Sequence, residues 1–172
     1  MFQSDFENLI ESGFTAQFQG QFSNVTRARI QGVEASARLA LLDNALLVDV
    51  GYTYISPKDR TKNDILKYRP RHLLYANGLT QFGMFSVGVD FRFISRVERI
   101  DEEFVTLGIV KNGDQRVAAY VTDLRLGADL SKISFPLTIQ LNINNIFQYN
   151  YVELIGNIAP PRTMVLTLEA KL

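Results

Sequence analysis

The sequence predicts an all-β chain, an antiparallel up-and-down meander of about eight strands. Apolar and polar residues alternate with period two in segment after segment, which is typical of strands whose two faces meet different environments. No segment shows a convincing helical period. The connections alternate between short turns and long loops, which indicates that consecutive strands run back and forth beside one another.

The strands follow one another from the beginning of the chain to its end. In five segments every second residue is apolar, starting from Leu46, Phe85, Leu124, Leu137 and Met164. Further strands are expected at 2–12, 25–42 and 67–80. Short turns are expected at 42–44, 81–83 and 131–134, and long connections at about 13–24, 57–66, 97–117 and 148–161. Outer-membrane barrels combine short turns at one end with long loops at the other.

Composition excludes several classes of protein. The 172 residues include 18 basic and 18 acidic residues and no cysteine. The balanced charge gives no electrostatic footprint for nucleic acid, and the lack of cysteine excludes a disulfide scaffold and a thiolate metal site. No apolar run reaches the roughly 18–20 residues of a membrane helix, whereas a spanning β-strand needs only about 9–11. Residues 1–7 carry neither a basic leader nor a cleavage site, so we expect any exported precursor to be longer than this chain.

The polar face of the alternation carries charges at the centres of the strands. We expect this face to line a wet lumen where the charges can pair, and the apolar face to meet lipid, so that the meander is a segment of a transmembrane β-barrel. The predicted lumen-facing charges are Glu34, Arg38, Asp49, Asp90, Arg92, Asp123, Arg125 and Asp129. The glycines expected on the same face are Gly32, Gly51, Gly88 and Gly127. Central apolar positions hold no Lys or Arg, which would cost roughly 2–4 kcal/mol there in lipid.

No catalytic or metal-binding constellation stands out. The sequence lacks a G-x-S-x-G elbow, a phosphate-binding loop and a G-x-G-x-x-G turn, so we expect no enzyme activity and no cofactor. His72 is the only histidine, and a structural role at the mouth of its strand is favoured. The acidic run 101–103 has the oxygen ligands of a hard-cation site, but a solvated loop is the preferred interpretation, and no metal is expected.

Five short motifs follow one another over nearly the whole chain. They are Arg29-Ile30-Gln31-Gly32-Val33-Glu34, Tyr52-Thr53-Tyr54, Tyr68-Arg69-Pro70-Arg71-His72, Asn144-Asn145-Ile146-Phe147 with Tyr151, and Pro160-Pro161-Arg162. Their order and spacing resemble the C-terminal barrel of TonB-dependent outer-membrane receptors. The family usually has Pro-Gly-Arg where this chain has two prolines before Arg162, and an aromatic residue where this chain ends in Leu172.

The resemblance implies a barrel of about 22 strands whose lumen is filled by an N-terminal plug domain. Such receptors import scarce nutrients, ferric siderophores or cobalamin, with energy that TonB delivers from the inner membrane. Residues 1–172 would be the C-terminal portion of the barrel, without the plug and without the N-terminal segment that contacts TonB. The implied partners are outer-membrane lipid, the rest of the barrel, the plug and TonB. The implied location is the bacterial outer membrane.

Ligand contacts are expected in the long loops, where cations can attract an anionic chelate. The candidates are Arg60, Arg96, Arg99, Lys111 and Arg116. Two other interpretations remain open. One is a self-closing eight-stranded outer-membrane barrel with a structural or adhesive role, in which the polar-face charges form a buried network. The other is a soluble β-sandwich binding module, because half-exposed sheets show the same alternation.

Overall fold

Eleven strands and one short helix are found in the part of the chain that the structure describes. The computed structural model describes residues 1–15, 17, 19–108, 117–154 and 157–170. The strands are β1 (Phe2–Phe14), β2 (Gly20–Leu41), β3 (Leu46–Asp59), β4 (Asp64–Ile65), β5 (His72–Phe82), β6 (Phe85–Ile94), β7 (Ala119–Asp129), β8 (Leu137–Asn144), β9 (Val152–Leu154), β10 (Asn157–Ile158) and β11 (Thr163–Ala170). The helix α1 is Glu102–Thr106, and a 3-10 turn follows β7 at Leu130–Ile133. None of the described helices is long and apolar enough to cross a membrane.

Eight long strands form one meander in the order β1-β2-β3-β5-β6-β7-β8-β11, and β4 pairs beside β3. The strands β9 and β10 form a separate two-stranded ladder. Among the described residues, β1 pairs only with β2, and β11 pairs only with β8. The predicted meander of about eight strands is therefore confirmed.

Two boundaries and one long connection in the sequence prediction differ from the structure. The strand expected from residue 67 begins at His72, because residues 67–71 are held by contacts to the next long loop, described below. The loop expected over 13–24 spans only 15–19, because the β1–β2 ladder continues to the pair Phe14 and Gly20. The connection expected over 97–117 contains α1, which a search for period-two alternation does not detect.

The contacts divide the chain into two compact units. The loop unit consists of Met1–Glu34, Thr53–Leu73 and Ile94–Ala118. The strand unit consists of Ala35–Tyr52, Leu74–Phe93 and Ala119–Leu172.

The loop unit has a small apolar core. Its buried cluster and the side chains packed against it are Val25, Ala28, Leu66, Leu9 and Ile30. The ladder pairs Leu9 with Val25, so Leu66 of the β4 region is fixed against the β1–β2 hairpin by apolar contact. At the beginning of β5, the ring of His72 lies 5.1 Å from the ring of Tyr54.

Several apolar side chains of β1 remain exposed: Phe2, Phe6, Ile10 and Phe14. Phe2 pairs with Gly32, and the Phe2 ring occupies the place where a Gly32 Cβ would lie. Gly32 therefore faces an aromatic ring. A Cβ there would also collide with the Tyr54 carbonyl oxygen, so the close approach requires glycine.

In the strand unit, the predicted alternation becomes rows of side chains across β7, β8 and β11. The strand registers give two neighbouring rows on opposite faces, Leu126–Leu141–Leu166 and Gly127–Gln140–Thr167. Cross-strand rows of this kind are the unit of sheet stabilisation. The apolar positions predicted from Leu137 and from Met164 therefore share one face.

Left-handed residues close the short turns of the strand unit. Leu42, Asp43 and Asn44 have φ angles of 52°, 52° and 69°, and the Ala45 N–H donates to the Leu42 carbonyl at 3.0 Å. Gly83 and Ser134 supply the same conformation in the other two turns, with φ angles of 57° and 65°. All three short connections lie where the sequence predicts them.

Candidate functional site: a polar strand face and a loop cluster

Asp90 is the centre of a hydrogen-bond network in the strand unit. Its carboxylate accepts hydrogen bonds from the Tyr75 hydroxyl at 2.9 Å, Asn77 Nδ2 at 2.7 Å and Arg125 Nη2 at 3.2 Å. Arg125 Nε also lies 2.9 Å from Asp90 Oδ2, an ion pair whose geometry does not meet the criteria of a hydrogen bond. One carboxylate on β6 thus collects donors from β5 and from β7.

Two glycines let the side chains of this face lie flat on the strands. A Cβ at Gly88 would lie 3.2 Å from Arg125 Nε. Ser86 fills the space where a Gly127 Cβ would be. Both glycines face polar side chains, as the sequence predicts for the face that carries Asp90 and Arg125. The polar groups therefore lie along the backbone instead of projecting from it.

Arg38 and Asp49 form a second ion pair on the predicted polar face. Arg38 Nε lies 2.5 Å from Asp49 Oδ1. The Arg38 side chain is 82% exposed, so water screens the pair and its contribution to stability is small. Glu34, which belongs to the loop unit, is also exposed.

Two other predicted charges contact loops or turns. Arg92 Nη2 lies 3.4 Å from the hydroxyl oxygen of Tyr151. Asp129 accepts the Ser131 backbone N–H at 3.1 Å and the Ser131 hydroxyl at 2.5 Å. Asp129 therefore caps the 3-10 turn, a role that its place at the end of an alternating segment does not reveal.

Asp123 belongs to a hydrogen-bonded cluster around the buried Asn145. Asn145 is 4% exposed, and its N–H donates to Asp123 Oδ1 at 2.6 Å. Its side-chain Oδ1 accepts the Tyr149 N–H at 2.8 Å, and its Nδ2 donates to the carbonyls of Tyr149 at 2.9 Å and Pro160 at 3.4 Å. One amide thus joins the loop after β8 to the segment before β11. The motif 144–147 contained a signal for this cluster, because asparagine tolerates a positive φ angle and its side chain forms hydrogen bonds with the backbone of loops.

The apolar side chains of the strand unit do not meet in a sealed core. Many that the alternation predicts for the apolar face are exposed: Leu39, Leu41, Phe85, Val89, Met164, Leu166 and Leu168. Within the described part of this unit, the buried apolar residues are Ala119 and Val121. A soluble β-sandwich would cover such side chains with a second sheet. The exposed face favours contact with hydrocarbon instead.

Asp101 is the buried polar centre of the loop unit. It is 1% exposed, its Oδ1 forms an ion pair with Lys67 Nζ, and its Oδ2 accepts the Tyr68 hydroxyl at 2.7 Å. A Cβ at Gly13 would lie 3.3 Å from Asp101 Oδ1, so β1 covers the carboxylate as well. The prediction of a solvated acidic run is therefore wrong for Asp101. Over the described ranges, no group of three or more His, Cys, Asp or Glu side chains is placed to hold a metal ion.

Two further ion pairs join the loop 60–71 to the loop 95–108, and a third lies within the second of these loops. Arg99 Nη2 lies 2.9 Å from Asp64 Oδ2, and its Nη1 lies 3.0 Å from Glu102 Oε1. Arg71 Nε lies 2.8 Å from Glu98 Oε1. Sequence reasoning missed these pairs, because nothing in the alternation of the strands specifies which loop charges meet.

Tyr68 of the loop 60–71 contacts the loop 95–108 and has a strained backbone conformation. Its φ angle is 57°, which is rare for a bulky side chain. Its N–H donates to the Arg99 carbonyl at 2.9 Å. Burial, and then the hydrogen bond to Asp101, raises the pKa of the Tyr68 hydroxyl above its ordinary value of 10.0, because both effects favour the neutral phenol.

The predicted ligand-binding cations fall into three groups. Arg60 and Arg96 are exposed. Arg99 is held by two carboxylates, as described above. Lys111 and Arg116 lie outside the described residues.

Comparison with known proteins identifies the family. Residues 1–146 match the family model described as TonB dependent receptor-like, beta-barrel. The chain belongs to this family of TonB-dependent receptors. It is part of a β-barrel of the bacterial outer membrane, as the order of its motifs predicts.

Solved structures show the same fold. The chain is similar to the ferric-catecholate import receptor Fiu from E. coli K12, with 23% identity, a TM-score of 0.68, and coverage of 96% of this chain and 24% of that one. It is similar to the ferric enterobactin receptor PfeA from Pseudomonas aeruginosa, with 21% identity, a TM-score of 0.69, and coverage of 98% and 28%. It is also similar to the copper transporter OprC, with 18% identity, a TM-score of 0.71, and coverage of 96% and 27%. The TonB-dependent receptor chain thus spans about a quarter of the length of these proteins.

Proposed function

We propose that the chain is part of an outer-membrane receptor that binds a scarce nutrient outside the cell and imports it with energy from TonB. The proposed cargo is a ferric siderophore, cobalamin or a similar chelate. The similarity to a ferric-catecholate import receptor and a ferric enterobactin receptor supports this class of cargo. In this proposal, residues 1–172 supply the C-terminal portion of the barrel and work together with the rest of the barrel, a plug domain and outer-membrane lipid.

The polar face of the strand unit is the observation that carries the proposal, because its charged side chains form ion pairs and still remain accessible to water. Arg125 reaches Asp90 across Gly88, while Arg38 stays 82% exposed beside Asp49. A self-closing eight-stranded barrel would bury these charges together in a lumen that side chains fill. A polar face that stays open supports a wide lumen, where water or a plug domain can lie against it.

The loop unit supplies the candidate surface for first capture. Arg60 and Arg96 are exposed, and their charge attracts an anionic chelate over a distance of about one Debye length, roughly 8 Å at physiological salt. The guanidinium of Arg99 is less available, because it already contacts Asp64 and Glu102.

Uptake by living cells tests the proposal. The whole receptor is produced in a Gram-negative strain that lacks its own receptors for the probes, with and without TonB. The probes are radiolabelled ferric enterobactin, ferric pyoverdine, cobalamin and copper. We expect one of the first three to accumulate only when TonB is present. Accumulation that is equal without TonB would contradict the coupling, and uptake of copper alone would contradict the proposed class of cargo.

Substitutions of two arginines and one lysine distinguish binding to these loop arginines from a general effect of positive charge. Arg60→Gln and Arg96→Gln together should weaken binding of the accepted anionic chelate by a factor of roughly three to ten, because surface electrostatics act mainly on encounter. Lys132→Gln removes the same kind of charge from the turn after β7, where Lys132 Nζ donates to the Gly83 carbonyl at 2.8 Å. Unchanged binding in the arginine variant, or an equal loss in the lysine control, would rule out these loop cations as capture residues.

A further inference from the structure

Two long loops of the loop unit meet at one buried carboxylate. We propose that Lys67, Tyr68 and Asp101 form a latch that holds the loop 95–108 against the loop 60–71, and that the loop 95–108 swings away as one piece when the latch is released. The latch goes beyond the proposed import function. Its test requires no cargo, so its failure and the failure of that function are distinguishable.

The burial of Asp101 makes the latch the decisive contact between these loops. The Asp101 side chain is 1% exposed, whereas both partners in the Arg99–Asp64 pair are 40% exposed. Water can replace a partner at an exposed ion pair, but it cannot do so for a buried carboxylate. Loss of the contacts from Lys67 or Tyr68 therefore makes the closed position of Asp101 unfavourable, and the carboxylate has to move to water.

Two features of the backbone lower the cost of opening. Tyr68 is strained in the closed position, with a φ angle of 57°, and release allows it to relax. Asp101 is the N-cap residue of α1, yet its side chain makes no capping hydrogen bond, because Lys67 and Tyr68 hold it. Once released, the same carboxylate can cap α1. The latch therefore has a second arrangement in which Asp101 keeps a hydrogen-bond partner.

The loop 95–108 rests on the tip of the β1–β2 hairpin. The rings of Phe104 and Phe14 are 5.0 Å apart in an edge-to-face contact, and Phe104 is buried. Gly13 leaves room for Asp101 beside this contact. Because α1 carries Phe104 one turn after Asp101, both contacts are lost together if the loop moves as one piece.

Pulsed electron paramagnetic resonance of the whole receptor measures the latch. The chain contains no cysteine, so spin labels are placed at Lys62→Cys and Thr106→Cys, both exposed, after replacement of any cysteine elsewhere in the receptor. Asp101→Asn removes the buried charge. Glu102→Gln is the matched control, because it removes the same charge one residue later from a side chain that is 73% exposed.

We expect one narrow distribution of distances between the two spin labels in the parent protein and in Glu102→Gln. In Asp101→Asn we expect a second, longer distance, and the fraction of molecules that show it should be at least tenfold higher than in the parent. Tyr68→Phe removes only one hydroxyl, and it should raise the same longer distance by a factor of two to ten. It also serves as the test if Asp101→Asn does not fold. A single parental distance in both variants, an equal response to Glu102→Gln, or a continuous broadening without a second distance would overturn the latch.

Discussion

Replacement of Asn145 by alanine tests whether one buried amide joins the last strands of the sheet. Asn145 combines three side-chain hydrogen bonds with a φ angle of 51°. Alanine removes the bonds and also tolerates that φ angle poorly. Glycine removes the same bonds and accepts the angle. The two variants therefore separate the hydrogen bonds from the backbone strain.

The magnitude follows from the geometry of the cluster. The two bonds to Tyr149, at 2.8 and 2.9 Å, contribute about 0.5–1.5 kcal/mol each, and the 3.4 Å contact with Pro160 adds little. The left-handed backbone costs alanine roughly 1–2 kcal/mol more than glycine. We expect the free energy of unfolding to fall by about 1–3 kcal/mol for Asn145→Gly and by about 2–5 kcal/mol for Asn145→Ala.

Urea unfolding of the receptor in detergent micelles, followed by the loss of heat-modifiable migration on a gel, measures both variants. Asn145→Asp keeps the acceptor for the Tyr149 N–H, but it places an oxygen against the carbonyls of Tyr149 and Pro160 and a buried negative charge beside Asp123. It should therefore destabilise the protein at least as much as the glycine variant. If alanine and glycine destabilise equally, the backbone strain plays no part. If neither destabilises the protein, the amide does not join these segments.

Three further outcomes are expected. Gly32→Ala should destabilise the protein by about 1–3 kcal/mol in the same urea assay, because the alanine Cβ collides with the Tyr54 carbonyl oxygen and the Phe2 ring. Gly51→Ala is the control and should change stability by less than about 1 kcal/mol, because no atom lies within 4 Å of its Cβ. Burial raises the pKa of the Tyr68 hydroxyl, so the stabilising contribution of Tyr68 is complete below the ordinary pKa of 10.0. That contribution is lost as pH rises through the higher pKa of the folded state. Tryptic cleavage of the loop unit should therefore increase above pH 10 in the parent protein, and it should increase less in Tyr68→Phe. Leu166→Arg should cost roughly 2–4 kcal/mol if that face meets lipid, and Thr167→Arg on the opposite face much less, as measured by folding yield in lipid vesicles.

The strands could be predicted because their constraint is local. Leu141 and Leu166 pair in register, and each belongs to an alternation that is visible within ten residues of sequence. A shift of one residue would turn either strand inside out, so the pattern specifies both the strand and its face. The same reasoning predicts the short turns, because residues 42–44 and Gly83 combine turn-forming side chains with abrupt ends of alternation.

The loop cluster could not be predicted, because its contacts are distant in sequence and have no period. Lys67 and Asp101 are 34 residues apart, and each is surrounded by other charges that are equally plausible partners. Burial decides between them, since only Asp101 of the acidic run is covered by Gly13 and the facing loop.

The distribution of buried side chains indicates whether water or hydrocarbon surrounds the apolar residues of each unit. The loop unit buries Leu66, Ile100 and Phe104, and it fills its polar interior with a carboxylate that has partners on both oxygens. A segment that is stable in water needs such a core, because the hydrophobic effect is its main source of stability. The strand unit leaves Leu166 and Leu168 more than 60% exposed, which would be unfavourable in water by roughly 25 cal/mol for each Å² of apolar surface. In hydrocarbon that penalty vanishes, and the backbone hydrogen bonds of the meander become the dominant constraint. One sequence thus follows two rules, because the loop unit buries Leu66, Ile100 and Phe104 while the strand unit leaves its apolar rows outward.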